Sequence, residues 1–281
     1  MDPVGLTSRW VAAARARESE RADRLFDDPL AAALAGPEGF AWLDRMEPVT
    51  LPGVPGPGLG PGLYVAVRTR FFDNFLLDAS WSIGSRQVVL VAAGMDARAF
   101  RLDWPSGTWL YELDRPEVFS TKNAVVAHTG TRPSCARRTV GVDLEQSWAQ
   151  ALHDAGYEAQ EPSVWLIEGL LFYLSSTTVH TLLEAVSSLA SEGSRLGMDV
   201  VNRELLTSAV MWPLLGTFAR RGVVGRFGTD DPETLLADHG WEARVTQPGE
   251  REANYGRWPY PVVHRSVPGV PRLFLVRARR V

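Results

Sequence analysis

A pair of apolar segments with ligand-binding residues at their ends constrains the fold of this chain most. Val88–Ala92 is an apolar run that leads into the small residues Ala93 and Gly94, and Trp109–Asp114 is a second run that ends in acids. Small residues let the backbone approach a ligand at a helix N-terminus, and an acid at the next strand end can accept hydrogen bonds from ribose hydroxyls. The spacing predicts a βαβ nucleotide-binding unit.

The turn after the first strand indicates which nucleotide this unit binds. A dinucleotide site has the pattern Gly-x-Gly-x-x-Gly, whose glycines let the backbone cradle a pyrophosphate. This chain has Ala92, Ala93 and Gly94 there, and Ala97 stands in place of the third glycine. We therefore expect a nucleoside ligand without a pyrophosphate, such as S-adenosylmethionine (SAM).

The chain around this unit alternates between strand and helix patterns. Helices are predicted over 116–127, 144–155 and 177–190, and strands at Val88–Ala92, Thr108–Leu113, Arg138–Val142, Ser163–Ile167 and Arg195–Val201. This order predicts an α/β fold, a mostly parallel sheet with helices on both faces. After a helix over 231–239, two consecutive strands follow at Gly240–Val245 and Arg272–Arg279, and we expect the C-terminal strand to be antiparallel.

Helical and loop segments flank this core. A leader with one helix from Trp10 to about Leu25, capped by Ser8, and a second at Leu30–Ala35 is expected to cap the sheet. Residues 48–62 are rich in proline and glycine, which suits either a linker or a lid over a site. Tyr64–Trp81 is predicted to be a helix, with an apolar residue every four positions on one face.

We expect one domain over residues 1–281. It comprises a helical cap and loop at 1–81, a nucleotide-binding core at 82–201, and an insertion with the C-terminal strands at 202–281. The insertion, near 202–227, contains several large apolar residues, Met211, Trp212, Pro213, Leu214, Leu215 and Phe218. They would either line a wide apolar pocket for a substrate, together with the leader and the loop, or fill a core.

The composition excludes several classes of partner and site. A net charge of −4 gives no basic surface for nucleic acid or an anionic membrane. The single cysteine, Cys135, excludes an internal disulfide and a multi-cysteine zinc site, and we expect no metal. No apolar run approaches the ~20 residues of a membrane span, and residues 1–10 lack the apolar region of a signal peptide. We therefore expect a cytoplasmic protein.

The single lysine of the chain, Lys122, excludes two further classes of nucleotide enzyme. A P-loop needs a glycine directly before its lysine, but Thr121 precedes Lys122. A Tyr-x-x-x-Lys reductase needs a tyrosine four positions earlier, and Val118 stands there. Together with the missing third glycine, this disfavours a dinucleotide-dependent oxidoreductase.

Charged residues at successive strand ends are the candidate ligand-binding groups. Asp114, Asp143 and Glu168 follow the second, third and fourth strands, and ligands of open α/β sheets bind at that edge. Glu168 directly follows the apolar run 164–167, and a carboxylate there is costly unless it meets a cation. The sulfonium and ammonium groups of SAM could supply that cation. Arg68 could bind the carboxylate of SAM with its guanidinium fork, or it could be a surface arginine.

Several ordered motifs resemble the leucine carboxyl methyltransferase-like family. That family includes bacterial SAM-dependent O-methyltransferases, some of which esterify carboxylic acids in polyketide biosynthesis. The resemblance also covers residues 13–29 and 67–73, and its main motifs are Ala92–Arg98, Tyr111–Pro116, Val142–Leu144 and Leu166–Leu174. It implies a class I, Rossmann-like methyltransferase fold with SAM as the cofactor.

The resemblance also implies roles for individual residues. Arg68 corresponds to the arginine that binds the SAM carboxylate, Asp114 to the acid that binds ribose, and Glu168 to an acid near the methionine moiety. Asp143 and Leu144 resemble the pair that flanks adenine. Ala92 takes the first small position of the turn that contains Gly94, where the family usually has glycine, and it adds one methyl group beside the cofactor.

The resemblance implies methyl transfer to a carboxylate of a small or medium organic acid in secondary metabolism. A carboxylate acceptor is ionised at neutral pH and needs no base, whereas a phenol or amine generally does. None of the five histidines follows a predicted strand beside the cofactor residues, which favours the carboxylate. A phenol or amine acceptor, and a non-catalytic SAM-binding protein, remain the alternatives; no catalytic base is assigned.

Overall fold

The computed structural model describes residues 3–46, 48, 60–220 and 222–281. In this part of the chain, seven strands form one sheet: β1 (Gln87–Val91), β2 (Trp109–Asp114), β3 (Ala136–Gly141), β4 (Ser163–Ile167), β5 (Arg195–Val201), β6 (Trp241–Thr246) and β7 (Leu273–Arg280). The helices are α1 (Pro3–Ser19), α2 (Ala31–Leu43), α3 (Pro61–Ser82), α4 (Arg98–Arg101), α5 (Pro116–Thr129), α6 (Ala149–Asp154), α7 (Ser176–Leu189), α8 (Arg203–Thr207), α9 (Trp212–Ala219) and α10 (Pro232–Ala237).

The strand order places a ligand crevice above β1 and β4. The order is β3-β2-β1-β4-β5-β7-β6, with β1 to β5 parallel and β7 antiparallel to both β5 and β6. This confirms the mostly parallel sheet with an antiparallel C-terminal strand. The chain leaves β1 in one direction and returns to β4 on its other side, and an open α/β sheet binds ligands at the carboxyl ends of such strands.

Helices cover both faces of the central strands, which explains the unbroken apolar runs. Every residue of β1 and β4 is buried. Val89 and Val91 pack with the apolar side of α7, whereas Val88 and Leu90 pack with that of α3. Parallel strands that are buried on both faces consist of continuous apolar residues. The positions of these strands could therefore be predicted from the sequence. The bounds predicted for β4 and β5 are those observed.

The predicted ends of the leader helices are wrong. α1 ends at Ser19 rather than near Leu25, because Glu18 accepts a hydrogen bond from the Leu25 backbone N–H and Ser19 accepts one from that of Asp28. These bonds hold the intervening chain in turns. Ser8 lies inside α1 and does not cap it. α2 runs past Ala35 to Leu43 through a kink at Gly36, whose positive φ of 58° lets the helix restart at Pro37.

Two other segments differ from the sequence prediction. The helix expected over 144–155 begins only at Ala149, because the Asp143 carboxylate accepts a hydrogen bond from the Glu145 backbone N–H and forms a turn there. α8 and α9 in the insertion were not predicted. Most of the proline- and glycine-rich segment lies outside the described residues, so the choice between linker and lid stays open; α3 begins at Pro61, within its end. None of the helices in the described ranges is long and apolar enough to cross a membrane.

The single lysine is part of the core. Lys122 on α5 is fully buried, and its Nζ lies 2.8 Å from an oxygen of the equally buried Glu112 on β2. Arg137 on β3 donates two further hydrogen bonds to the same carboxylate. Glu112 therefore joins α5, β2 and β3, and its oxygens are satisfied inside the fold rather than at the strand ends.

Candidate active site

A cavity of about 480 Å³ opens above the carboxyl ends of β1, β2 and β4. It contains every residue for which the sequence implied cofactor contact: Arg68, Ala92, Gly94, Asp114, Asp143, Leu144 and Glu168. These residues come from α3 and from four different strand ends. The structure thus brings the predicted set together at one site, while the role of each member stays a prediction.

The turn after β1 has a backbone that favours glycine. Ala92 has φ of 54° and Gly94 has φ of 49°, both in the left-handed region. That conformation costs an L-residue about 1–2 kcal/mol. Ala92 therefore adopts it at a cost, whereas the glycine that the family usually has at this position would adopt it freely. The Ala93 N–H donates to Leu113 O at 2.9 Å and ties the turn to β2.

Gly94 is required by a close approach of α1. A Cβ on Gly94 would lie 2.8 Å from the Ser8 Cβ, which is inside van der Waals contact. The first half of α1 therefore packs directly on the turn, and Thr7, Ser8, Trp10 and Val11 also line the cavity. The leader is a wall of the site, as the sequence predicted for a cap.

Asp114 is fixed at the end of β2 by two backbone donors. Its Oδ2 accepts the Gly94 N–H at 2.7 Å, and its Oδ1 accepts the Arg115 N–H at 2.8 Å. Burial raises the pKa of this carboxyl, and the two backbone N–H groups oppose the rise. The carboxylate is thereby oriented toward the cavity with lone pairs left for a ligand.

Arg68 joins α3 to the ends of two strands. Its Nε donates to Glu168 at 2.8 Å, and its Nη1 donates to Asp199 on β5 at 2.9 Å. The other oxygen of Asp199 accepts the Gly169 N–H at 2.6 Å, and the Tyr64 hydroxyl donates to the oxygen that Arg68 binds. Arg68 is buried, so the surface-arginine interpretation is wrong. Sequence reasoning missed Asp199, although an acid inside the apolar strand β5 was a usable signal.

Arg98 is the centre of a second group of buried ion pairs. Its guanidinium contacts Asp73 at 2.7 Å, Asp96 at 2.5 Å and Glu168 at 2.7 Å. From the sequence we expected the cationic groups of SAM to balance the Glu168 carboxylate. In the structure the carboxylate already forms ion pairs with Arg68 and Arg98. Sequence reasoning did not find Asp73, because its partners follow β1 and lie far along the chain.

The ion pairs form one network beneath the cavity. Arg101 binds Asp73 through both oxygens, and Asp28 connects it to Arg15 on α1. The network contains five carboxylates and four guanidinium groups, which leaves one net negative charge: Asp28, Asp73, Asp96, Glu168 and Asp199 with Arg15, Arg68, Arg98 and Arg101. Five members of the network also line the cavity and give its wall groups of both signs: Arg15, Arg68, Arg98, Asp96 and Glu168.

The arginines keep the network acids ionised. Burial acts to raise the pKa of Asp96, but Arg98 and more distant cations lower it to about 2. Burial likewise acts to raise the pKa of Asp73 and Glu168, but neighbouring arginines outweigh it, and both pKa values are lowered. These carboxylates are poor proton acceptors near neutral pH.

The far ends of the cavity have different characters. Asp143 is exposed at the end of β3, where its oxygens accept hydrogen bonds from the Glu145 N–H and the Gln146 side chain, and Leu144 lies beside it. At the opposite end Trp10, Val11, Tyr173 and Val223 belong to one apolar cluster and also line the cavity.

The apolar residues of the insertion mostly fill a core. Met211 packs with Val201 and Leu205, and Phe218 packs between Trp10 and Trp42. Of the two alternatives for residues 211–218, a pocket wall or a core, the described structure favours the core, and Gly222, Val223, Val224 and Arg226 supply the insertion's side of the cavity. All five histidines lie in the described part, and none lines the cavity.

Residues 8–187 match the leucine carboxyl methyltransferase family. The chain belongs to this family. Relatives of the chain include a protein of Parafrankia sp. (44% identical over 252 residues, 86% of this chain and 77% of the relative) and one of Streptomyces coelicolor (40% over 254 residues, 90% and 88%). Both are named as S-adenosyl-L-methionine-dependent methyltransferases.

Solved structures share the fold of this leucine carboxyl methyltransferase family member. A DUF574 family protein from Streptomyces avermitilis aligns with a TM-score of 0.62 at 12% identity, over 93% of this chain and 97% of that one. A protein from Thermobifida fusca described as a methyltransferase aligns with a TM-score of 0.58 at 16% identity, over 95% and 94%. The predicted class I methyltransferase fold is confirmed.

The network predicts a loss of stability in acid. Since folding lowers the pKa of Asp73, Asp96 and Glu168, the unfolded chain binds more protons below about pH 4, and the free energy of unfolding falls there. Asp114, with a raised pKa, opposes this in part. Urea unfolding followed by tryptophan fluorescence should give a lower free energy near pH 3.5 than near pH 7.

Two variants decide whether the network causes this acid sensitivity. Asp96→Asn removes one of the titrating groups and should flatten the pH dependence. Asp78→Asn changes an exposed acid on α3 and should leave it as in the parent protein. Equal pH dependence for the parent and Asp96→Asn would contradict the assignment.

The contact between α1 and the turn predicts a specific cost for a methyl group at Gly94. Gly94→Ala should destabilise the protein more than Gly84→Ala, which has a similar positive φ of 65° but open space around its Cβ. The left-handed backbone affects both variants, and overpacking against Ser8 should add about 1–3 kcal/mol to the first. Equal losses of unfolding free energy in urea would mean that α1 does not press on the turn.

Proposed function

We propose that this protein transfers the methyl group of SAM to a carboxylate of a small or medium organic acid, in secondary metabolism. The coarser statement, that it is a SAM-dependent methyltransferase, follows from its family and from relatives that cover most of the chain. The observation that carries the finer proposal is a cavity with no histidine among its described lining residues, in which arginines lower the pKa of Asp96 and Glu168.

The cavity fits SAM in size and charge. Sites for small molecules commonly have volumes of about 300–1,000 Å³, and the lining of this one offers both carboxylates and guanidinium groups. SAM has two positive groups and one negative group. The Thr69 hydroxyl supports a ligand as well, because this residue lines the cavity, is only 1% exposed, and has no hydrogen-bond partner among the described residues.

The proposed contacts follow from where each side chain lies. Asp114 would accept hydrogen bonds from the ribose hydroxyls, since its backbone bonds already fix its orientation. Arg68 would offer its remaining donor, Nη2, to the carboxylate of SAM, while Glu168 would lie near the methionine moiety. Asp143 and Leu144 would flank adenine at the open end of β3. Gly94 and Ala92 would form the close backbone surface beside the cofactor.

The absence of a suitable base favours a carboxylate acceptor. SAM supplies a methyl group on a sulfonium, which is already activated for displacement. The acceptor forms a new O–CH3 bond with an oxygen lone pair while the S–CH3 bond breaks and leaves its electron pair on sulfur. A carboxylate does this without losing a proton, so the protein has only to align the reactants and exclude water.

A phenol or amine acceptor would need a proton acceptor that the described site does not offer. Histidines are absent from the cavity walls, and arginines lower the pKa of Asp96 and Glu168. Tyr173 lines the cavity, but burial raises the pKa of its hydroxyl.

Ala92 is the best support for a non-catalytic SAM-binding protein, because its methyl group adds bulk beside the cofactor.

Asp114 provides a direct test of the cofactor site. Asp114→Ala should weaken binding of SAM or S-adenosylhomocysteine by roughly 1–3 kcal/mol, the usual cost of a lost hydrogen bond to a charged group. Asp114→Asn should cost less, because one acceptor oxygen remains. Isothermal calorimetry measures both, and the exposed Asp103→Ala serves as the matched control. If both Asp114 variants bind like the parent, Asp114 is not the ribose ligand.

The chemical stability of the product tests the acceptor class. With methyl-labelled SAM and a panel of organic acids, phenols and amines, label should enter the acids and be released as methanol by mild alkali. The rate should show no rise between about pH 7 and about pH 9, since a carboxylate is ionised throughout that range. An alkali-stable product would exclude the carboxylate while leaving a SAM-dependent methyltransferase.

A further inference from the structure

The cavity contains a cation that lies outside the ion-pair network. Arg226 lines the cavity on the segment that follows α9 and is exposed. Within the described residues, no carboxylate forms an ion pair with it. The four arginines of the network, in contrast, each bind at least one carboxylate. Arg226 is therefore available to an anion that enters the cavity.

The backbone around Arg226 is held in place. Its N–H donates to Phe172 O at 2.8 Å, directly beside Tyr173. A Cβ on the preceding Gly225 would lie 2.4 Å from the Phe172 ring, so the two segments pack without space between them. Val223 N–H donates to Phe218 O at 3.1 Å, and Thr229 N–H donates to Val201 O at 2.9 Å. The backbone is thus fixed at three points, which limits the region of the cavity that the Arg226 guanidinium can reach.

A buried donor without a partner lies in the same part of the cavity. Trp10 lines the cavity and is 7% exposed, and its indole N–H has no hydrogen-bond partner among the described residues. It packs in one apolar cluster with Val223 and Tyr173, which connects it to the segment of Arg226. An unsatisfied buried donor is costly, and a ligand oxygen would remove that cost.

Most of the other residues at this end are apolar; the exceptions are Thr7 and Tyr173, whose side chains hydrogen-bond to each other. Val11, Leu174, Val223 and Val224 line the cavity there. Such walls suit a hydrocarbon body and offer little to a second charged group. The guanidinium groups of Arg68 and Arg98 near β1 and β4 are already bound to carboxylates, so a separate cation suits an acidic acceptor beside the cofactor.

We propose that Arg226 and the Trp10 indole N–H bind the carboxylate of the methyl acceptor, and that the apolar walls select a monocarboxylic acid with an apolar body. This inference rests on the proposed carboxyl methylation and adds the residues that determine its specificity. One carboxylate oxygen accepts these hydrogen bonds, and the other is left to attack the methyl group.

Binding of matched acids and amides tests the proposal. The protein saturated with S-adenosylhomocysteine is titrated by calorimetry with linear and aryl monocarboxylic acids and with their primary amides. The acids should bind more tightly than the amides. Arg226→Ala should weaken acid binding at least about tenfold and leave amide and S-adenosylhomocysteine affinity unchanged. Arg226→Lys should be intermediate, because lysine keeps the charge but loses the fork.

Two further variants complete the test. Arg220→Ala removes another exposed arginine of the insertion, one that does not line the cavity, and should bind acids like the parent. Trp10→Phe keeps the ring but removes the N–H, and it should weaken acid binding severalfold without changing S-adenosylhomocysteine affinity.

Each failure has a distinct signature. Equal affinity for acids and amides in the parent protein, or acid binding that Arg226→Ala leaves intact, overturns this proposal even if acids are methylated. Methylation of phenols or amines but not of acids overturns the proposed function instead. If Trp10→Phe binds acids as tightly as the parent protein, the indole N–H is not part of the binding site.

Discussion

The buried guanidinium of Arg98 is the interaction on which the rest of the site depends. It holds Asp73 from α3, Asp96 from the turn after β1 and Glu168 from the end of β4 at once, and Arg68 extends the same network to β5. Removing one member of a buried ion pair commonly costs several kcal/mol, because the partner is left uncompensated. The elements that surround the cavity are therefore fixed to one another by charge.

Most of the fold could be predicted from local pattern. Strands buried on both faces appear as unbroken apolar runs, so β4 and β5 were located to the residue. The errors arise where side chains override propensity: Glu18 and Ser19 stop α1 by bonding to the following backbone, and Asp143 delays α6 by forming a turn. α8 and α9 could not be predicted from periodicity, because they are only five and eight residues long.

The site was predictable where a residue follows a strand and not where it depends on a distant partner. Asp114, Asp143 and Glu168 follow strands, and parallel strands bring such residues to one edge. Asp199 and Asp73 were missed, because their roles come from arginines more than twenty positions away in sequence. The apolar residues of the insertion could not be assigned from the sequence, since hydrophobicity alone does not distinguish a pocket wall from a core.

The location of the single lysine has a practical consequence. Lys122 is the only side-chain primary amine in the sequence, and it is sealed between Glu112 and the body of α5 with no exposed surface. Acylating reagents directed at ε-amino groups therefore find no target while the fold is intact. Label incorporated at Lys122 reports opening of the core around β2, β3 and α5, so ordinary amine chemistry becomes a site-specific probe of unfolding in this protein.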